Sequence, residues 1–186
     1  MRIIAGAFKG KKIFQPKDLN TRPLKDLVKE SIFNIINHSN KFSTRIEGTV
    51  ILDLFSGVGS FGLECLSRGA KFVTFVENYN EVLPILKKNI NNLKLKNKFN
   101  IIEKDILNNF KDIKFDQIYE IIFLDPPYKE DNINKILDNI LNKKILKKDG
   151  IIVFHRHKNQ TDIFPENLKV IEEKNYGISK IIFAKI

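Results

Sequence analysis

The chain has 186 residues, of which 42% are apolar, and a formal net charge of +10, which suits one domain with a substantial core and a small appendage. It contains no run of about 18 apolar residues, which argues against a membrane span, and its single cysteine, Cys65, excludes an internal disulfide framework. Because no long apolar stretch follows Met1, we expect no signal peptide and a cytoplasmic protein, and nothing in the sequence demands more than a monomer.

The positive charge is concentrated in the N-terminal segment. Residues 1–30 contain eight basic and three acidic side chains, so about a sixth of the chain carries half of the net charge. Clustered Lys and Arg side chains attract phosphates and release their bound counterions. We therefore predict that residues 1–47 form an extension that contacts nucleic acid through Arg2, Lys9, Lys11, Lys12, Arg22 and Lys25.

The extension is predicted to contain a hairpin and a helix. Residues 2–14 are typical of a short basic hairpin, with Gly6 and Gly10 suited to its turn. Pro23 is suited to the first position of a helix. Apolar residues then recur at helical spacing, at Leu24, Leu27, Val28, Ile32, Ile35 and Ile36. A polar linker from His38 to Gly48 follows.

Residues 48–186 alternate between apolar strands and helices. The predicted strands cover 50–55, 72–76, 99–102, 119–124 and 151–154, and the predicted helices cover 59–68, 80–93 and 131–144. Segments 168–173 and 180–184 form a terminal hairpin around Tyr176 and Gly177. Repeated β-α units of this kind predict an α/β fold with a mostly parallel sheet and helices on both faces.

Four successive predicted strands are each followed by a carboxylate: Asp53, Glu77, Asp105 and Asp125. In such sheets the ligand binds beyond the carboxyl ends of the strands, near the topological switch point. Four carboxylates at one edge therefore predict a polar ligand that presents several hydrogen-bond donors.

A glycine loop follows the first strand, as Gly57-x-Gly59-x-x-Gly62. Alone, this pattern is the dinucleotide fingerprint, and a dehydrogenase is therefore an alternative. Asp53 argues against a pyrophosphate, because its charge would oppose the phosphates. It suits S-adenosylmethionine (AdoMet), which has an ammonium group and a sulfonium but no phosphate. The predicted cofactor contacts are Asp53, Phe55, Ser56, Gly57, Gly59, Glu77, Asn78, Asp105 and Ile106.

The tetrapeptide Asp125-Pro126-Pro127-Tyr128 is the predicted catalytic motif. The two prolines end the strand and stiffen the loop. The Asp125 carboxylate and the Pro126 carbonyl could accept the two hydrogens of a base amine and aim its lone pair at a methyl donor. Tyr128 would stack on the extruded base. These residues therefore predict methylation of the exocyclic amine of a nucleic-acid base.

The three histidines, His38, His155 and His157, look scattered or exposed, and no spacing of His, Cys and Asp suggests a metal site, so we expect no metal. Arg156 and His157 follow the fifth predicted strand. They could reach a substrate phosphate or lie on a plain surface, and the sequence favours neither alternative.

Taken together, these motifs resemble the RsmD-type family of bacterial small-subunit ribosomal RNA guanine-N2 methyltransferases. The similarity covers nearly the whole chain and includes residues 1–6, Lys9 to Lys11, Arg22-Pro23, 28–34, 52–59, 62–64, 66–70, 75–77 and 125–128. It implies a seven-stranded Rossmann-like class I methyltransferase fold with AdoMet as donor. It also implies guanine 966 of 16S rRNA as target, within the small subunit or a late assembly intermediate.

The sequence departs from the family pattern at three places. Leu24 stands where Thr or Ser is usual, Ser56 where Ala is common, and residues 154–157 replace a more acidic end of the fifth strand. An adenine-N6 methyltransferase would use the same tetrapeptide, but no sizeable target-recognition insertion is visible. A non-catalytic RNA-binding protein would need the basic segment but not Asp125 to Tyr128.

Overall fold

The centre of the structure is a seven-stranded sheet. The structure, a computed structural model, describes residues 1–16, 24–127, 130 and 132–186. Its strands are β1 (Val50–Leu54), β2 (Phe72–Glu77), β3 (Phe99–Glu103), β4 (Tyr119–Leu124), β5 (Leu146–His157), β6 (Lys169–Tyr176) and β7 (Ser179–Lys185). The strand order is β3-β2-β1-β4-β5-β7-β6, with only β7 antiparallel to its neighbours. The predicted α/β fold with a C-terminal antiparallel pair is confirmed.

The described part of the chain contains five α-helices, the first of which precedes the first strand. They are α1 (Asp26–His38), α2 (Ser60–Ser67), α3 (Leu83–Asn92), α4 (Ile106–Asn109) and α5 (Ile133–Lys143), and a 3-10 turn at Phe110–Asp112 follows α4. The short α4 and the 3-10 turn were absent from the sequence prediction. The prediction also ended β5 at Phe154, whereas this strand continues to His157.

Alternating strand residues face two separate cores, as the two-residue period of a strand requires. Phe123 of β4 faces the core that α1, α2 and α3 cover, whereas Leu124 faces the core that α4 and α5 cover. In the first core, the Phe61 ring stacks on Phe123 at 3.9 Å and on Phe33 at 5.3 Å between centroids. These rings join α1 and α2 to the centre of the sheet.

The N-terminal segment forms a short hairpin whose arms pair over only a few residues, with the Ile13 amide donating to the Met1 carbonyl at 3.0 Å. The Ile3 amide donates to the Lys11 carbonyl, and Arg2 and Lys12 form only an isolated bridge. Beyond Ile3 the pairing between the arms ends, and Glu64 of α2 accepts hydrogen bonds from the amides of Ile4 and Ala5, at 2.8 and 2.9 Å. The first arm is therefore bound both to the second arm and to a helix side chain.

Glu64 is fully buried and is neutralised by two basic residues. Its Oε2 lies 3.6 Å from Lys29 Nζ, and its Oε1 accepts a hydrogen bond from Arg68 Nε at 2.8 Å. The Lys29 ammonium is also fully buried and donates to the Arg2 carbonyl at 3.0 Å. Burial lowers the pKa of Lys29, and the nearby Glu64 opposes that shift. Lys29 is thus a core residue of the N-terminal segment, although the sequence count includes it among the basic side chains.

Candidate active site

The switch point of the sheet lies between β1 and β4. The chain proceeds outward from β1 to β2 and β3, and then returns to place β4 on the other side of β1. Leu54 of β1 pairs with Leu124 of β4, so the loops that follow these two strands start side by side. This is where open α/β sheets bind their ligands. The glycine loop and the Asp-Pro-Pro segment are therefore adjacent.

The glycine loop needs backbone conformations that favour glycine. Gly57 and Gly59 have φ angles of 54° and 83°, and a Cβ on Gly59 would lie 2.6 Å from the Leu86 side chain. A Cβ on Gly57 would meet no atom within 4 Å. The loop therefore leaves open space beside Gly57, whereas Gly59 is held against α3.

Asp53 lies beneath this loop and is almost completely buried. Its Oδ2 accepts a hydrogen bond from the Gly62 amide at 3.0 Å, in the first turn of α2. Burial raises the pKa of the Asp53 carboxyl well above its usual range, and the negative charges of Asp125 and Glu77 add to this effect. Asp53 therefore anchors the first turn of α2 through its hydrogen bond. When Asp53 is ionised, no basic side chain of the described residues balances its charge.

Glu77 and Asp105 are held by amides in the same way. Glu77 accepts from the Gly57 amide at 2.7 Å and from the amides of Asn78 and Tyr79 at 2.9 Å. Asp105 caps α4 by accepting from the Leu107 amide at 2.8 Å. A carboxylate offers about four acceptor positions. Each of these two carboxylates therefore keeps acceptor capacity beyond its hydrogen bonds to the described residues.

Three carboxyl groups at this edge of the sheet have no basic partner among the described residues. Within the described ranges, Asp53, Glu77 and Asp105 form no ion pair with Lys or Arg. The Ser56 and Ser60 hydroxyls are buried and have no hydrogen-bond partner in the same part of the chain. Unpaired buried polar groups beside open space fit a polar ligand with positive charge.

Asp125 stands at the end of β4, with its amide donating to the Leu54 carbonyl at 3.3 Å. Its side chain is 23% exposed, and Oδ1 lies 2.7 Å from His155 Nδ1. Among the described residues, neither Asp125 Oδ2 nor the Pro126 carbonyl has a hydrogen-bond partner. The two acceptors that the sequence assigned to a base amine are therefore both available. Pro127 is exposed, and its carbonyl accepts from the Glu130 amide at 2.9 Å.

The expectation that His155 is exposed is wrong. His155 is 6% exposed and contacts both Asp125 and Ser179, because β5 extends past Phe154 beside β4. From the sequence, this contact could have been found only by predicting the register between β4 and β5. That register pairs Leu124 with Phe154 and so places the next residue of each strand side by side.

Arg156 is neither a phosphate contact nor a plain surface residue. Its side chain is fully buried, and Nε lies 3.0 Å from Asp162 Oδ1. Its Nη2 donates to the Glu130 carbonyl at 2.7 Å. Arg156 thus ties the segment after the two prolines to β5. The sequence did not indicate this role of Arg156, because Asp162 and Glu130 become its neighbours only in the folded chain.

The predicted RNA-contacting residues Arg2, Lys9, Lys11, Lys12 and Lys25 are exposed. Arg22 and Tyr128 lie outside the described residues, as does Pro23, where the helix was expected to begin. The second arm of the N-terminal segment approaches the glycine loop through one side chain, since Asn89 Nδ2 donates to the carbonyls of both Phe14 and Val58 at 3.0 Å. Asn89 thereby links the end of the second arm to the glycine loop.

A search of the described ranges finds no cluster of three or more His, Cys, Asp and Glu side chains that could hold a metal ion. In the same ranges, every helix is too short or too polar to cross a membrane.

Comparison with known proteins identifies similar sequences and structures. The family model described as "Conserved hypothetical protein 95" matches residues 1–185. The small-subunit ribosomal RNA methyltransferase D of Buchnera aphidicola is 34% identical over 92% of this chain and 86% of its own length. The protein of the same name from Haemophilus influenzae is 34% identical over 96% of this chain and 90% of its own length.

Solved structures share the whole architecture. The Escherichia coli protein yhhF superposes with a TM-score of 0.81 at 26% identity, covering 99% of this chain and 96% of that one. A Haemophilus influenzae protein superposes with a TM-score of 0.77 at 32% identity, covering 98% and 96%. The similarity therefore extends over both the sheet and the N-terminal segment.

Proposed function

The chain belongs to the RsmD-type family of ribosomal RNA methyltransferases, and on this premise we propose that it methylates the exocyclic N2 of guanine 966 in 16S rRNA, with AdoMet as the methyl donor. Methyltransferase relatives favour this function over the dehydrogenase that the glycine loop alone left open. The division into a substrate-contacting extension, residues 1–47, and a catalytic part, residues 48–186, belongs to the same proposal.

One observation carries the proposal: a carboxylate oxygen and a backbone carbonyl, both free of hydrogen bonds to the described residues, stand together after β4 beside the glycine loop. They are Asp125 Oδ2 and the Pro126 oxygen. A guanine N2 amine has two hydrogens to donate and a lone pair that is delocalised into the ring. Two fixed acceptors match that group and would orient its nitrogen.

The residues around the glycine loop fit AdoMet. Asp53, which has no basic partner among the described residues, would face the ammonium group of the amino-acid end, and the remaining acceptor position of Glu77 would take a ribose hydroxyl. Asp105 would accept from the adenine amine, and Gly57 leaves room for close approach. Phe55, Ser56, Asn78 and Ile106 would complete the contacts. When bound, AdoMet supplies a methyl group on a sulfonium, which is an excellent leaving group.

The protein's contribution to the reaction is positioning and local electrostatics. Asp125 and the Pro126 carbonyl hold the two amine hydrogens so that the nitrogen lone pair points at the methyl group. Asp125 Oδ2 then accepts the proton that the methylated nitrogen loses, or passes it to solvent, to which its side chain is 23% exposed. No strongly basic residue is required. Tyr128 would stack on the extruded guanine.

Substrate binding would use the exposed basic side chains of the N-terminal segment, together with Arg22, on phosphates near the target. We propose the small ribosomal subunit, or a late assembly intermediate, as the partner of a monomeric cytoplasmic enzyme. The alternative target is an adenine N6 amine, because the same two acceptors also match that group. The names of the family relatives favour ribosomal RNA over DNA.

The test is methylation of small ribosomal subunits from a bacterial strain that lacks its own guanine 966 methyltransferase. Purified protein and tritiated AdoMet are incubated with assembled subunits and, separately, with protein-free 16S rRNA. The rRNA is cleaved with a base-specific ribonuclease to locate the labelled fragment, and the methylated nucleoside in that fragment is identified by liquid chromatography and mass spectrometry.

We expect label in N2-methylguanosine at position 966 and a higher rate on the assembled subunit. Label in N6-methyladenosine would support the alternative target. No label in 16S rRNA of either form, from protein that binds AdoMet, would contradict the proposed function.

A further inference from the structure

We infer that His155, held by Ser179, is a positioning residue that fixes one oxygen of Asp125 and thereby leaves the other for the substrate amine. This inference rests on the proposed role of Asp125 in methyl transfer. It concerns a residue that the family resemblance does not assign, in a segment where this chain departs from the family pattern.

The topology of the sheet creates the contact. Parallel strands β4 and β5 pair Leu124 with Phe154, so Asp125 and His155 are the next neighbours across the strands. Strand β7 lies on the other side of β5 and pairs Ile181 with His155. Ser179 is two residues from that pair, which places it diagonally on the same face, within reach of a long side chain. Three strands that are distant in sequence therefore meet at this imidazole.

The distances form a continuous hydrogen-bonded chain. Asp125 Oδ1 lies 2.7 Å from His155 Nδ1, and His155 Nε2 lies 2.9 Å from Ser179 Oγ. His155 and Ser179 are buried, at 6% and 4% exposure, so solvent competes little for these bonds. A charged acceptor shortens and strengthens a hydrogen bond of this kind.

The chain also fixes the histidine tautomer. An ionised carboxylate only accepts hydrogen bonds, so the proton between His155 and Asp125 must be on Nδ1. In the neutral imidazole Nε2 is then an acceptor, and the Ser179 hydroxyl donates to it. The hydrogen bond at Nδ1 thus determines the role of Nε2, as is common for functional histidines.

The consequence is a carboxylate with two different oxygens. Oδ1 is committed to His155, and Oδ2 has no partner among the described residues. Without the imidazole, the Asp125 side chain would rotate freely about its bonds and would present either oxygen. His155 therefore acts through Asp125, and it should affect the rate of the methyl-transfer step more than cofactor binding.

The first experiment measures kcat, the KM for the small subunit and the Kd for AdoMet in three variants. His155→Phe removes both bonds and should lower kcat about tenfold to a hundredfold, with the Kd changed less than about twofold. His155→Asn places an amide N–H where Nδ1–H stood, so its kcat should recover to within about threefold of wild type. Ser179→Ala should lower kcat by only about twofold to fivefold, because the bond to Asp125 remains. His38→Phe, at the exposed end of α1, is the matched control and should behave as wild type.

A double substitution tests whether His155 acts through Asp125. Once Asp125→Asn has removed the charged acceptor, adding His155→Phe should change kcat by less than about twofold. Losses that multiply would overturn the inference, and so would a His155→Phe enzyme with wild-type kcat.

The wild-type protein allows a test without destabilising variants. Nitrogen-15 NMR of labelled histidine, assigned by the signal that His155→Asn lacks, should show a proton on Nδ1. An Nδ1 without a proton would overturn the inference. Failure of the underlying role is recognised separately, because Asp125→Asn would then retain full activity. Loss of activity in Asp125→Asn with full activity in His155→Phe would refute only the role of His155.

Discussion

Two regions of this protein bury carboxylates against backbone amides, and they differ in what balances the charge. Beneath the N-terminal segment, Glu64 accepts from two amides and is also paired with Lys29 and Arg68. At the carboxyl edge of the sheet, Asp53 accepts from one amide, has no Lys or Arg partner in the described ranges, and faces the charge of Asp125 and Glu77.

We propose that this difference separates a structural carboxylate, Glu64, from one that binds a ligand, Asp53. A buried charge with its counter-charges in place contributes to holding two segments together, and removing one partner is strongly destabilising. A buried carboxylate without counter-charge lowers the stability of the empty protein and favours a cationic ligand. The balance of charge, rather than burial alone, therefore distinguishes the two regions.

The largest effect is expected for Glu64→Ala, which removes the buried carboxylate that is paired with basic side chains. It leaves Lys29 buried without its carboxylate and the amides of Ile4 and Ala5 without an acceptor. The free energy of unfolding should fall by about 3–5 kcal/mol in urea denaturation. Exposed Glu47→Ala is the control, with a change within about 0.5 kcal/mol. Equal losses in the two variants would mean that the Glu64 network does not dock the segment.

Asp125→Asn should produce the next largest effect, on catalysis and not on folding. The amide presents its own N–H groups to the site and cannot accept the released proton. We expect kcat to fall about a hundredfold to a thousandfold, with the AdoMet Kd within about threefold of wild type. Single-turnover methylation and calorimetric titration measure the two quantities. Wild-type kcat in this variant would remove Asp125 from the reaction.

Replacing Lys9, Lys11 and Lys12 by Glu tests whether the docked N-terminal segment contributes to RNA binding. Binding of rRNA should weaken about tenfold to a hundredfold, and the slope of log affinity against log salt should fall by about one per lost phosphate contact. AdoMet affinity and the unfolding free energy should be nearly unchanged. The control reverses Lys96, Lys98 and Lys114, which are exposed and lie in the loops before β3 and β4. If both triple variants weaken RNA binding equally, total charge matters and the segment does not.

Much of the fold was predictable because its information is local. Buried parallel strands produce nearly continuous apolar runs, and β4 was predicted with its observed bounds, Tyr119–Leu124. The glycine loop was recognisable because positive φ at Gly57 and Gly59 restricts the residue type. Leu27 matched the helical spacing but is 69% exposed, since α1 turns that side away from the core.

The parts that were missed depend on contacts between distant segments. The amides of Ile4 and Ala5 pair with Glu64, about 60 residues away, and so dock the N-terminal hairpin on α2. The contact of His155 with Asp125 and Ser179 requires the strand order, which places β7 between β5 and β6. Neither arrangement has a local pattern in the sequence.

Asp53→Asn tests the region in which the buried carboxyl group has no basic partner. We expect its effect on the unfolding free energy to be the smallest of the series. The amide oxygen can still accept from the Gly62 amide, so the helix contact remains. In the unfolded chain an aspartate ionises near a pKa of about 3.9, whereas burial raises the pKa of Asp53 in the folded protein. The wild-type protein without ligand therefore loses stability as the pH rises from about 4 through the folded pKa, and the variant lacks this loss.

The most direct measurement is the unfolding free energy of wild type and Asp53→Asn from pH 4 to 8, without and with AdoMet. Without AdoMet, the stability of the variant relative to wild type should rise with pH. AdoMet should stabilise wild type more, because loss of the opposing charge should weaken its binding by about tenfold or more. A variant that is less stable than wild type at neutral pH and binds AdoMet equally well would contradict the account.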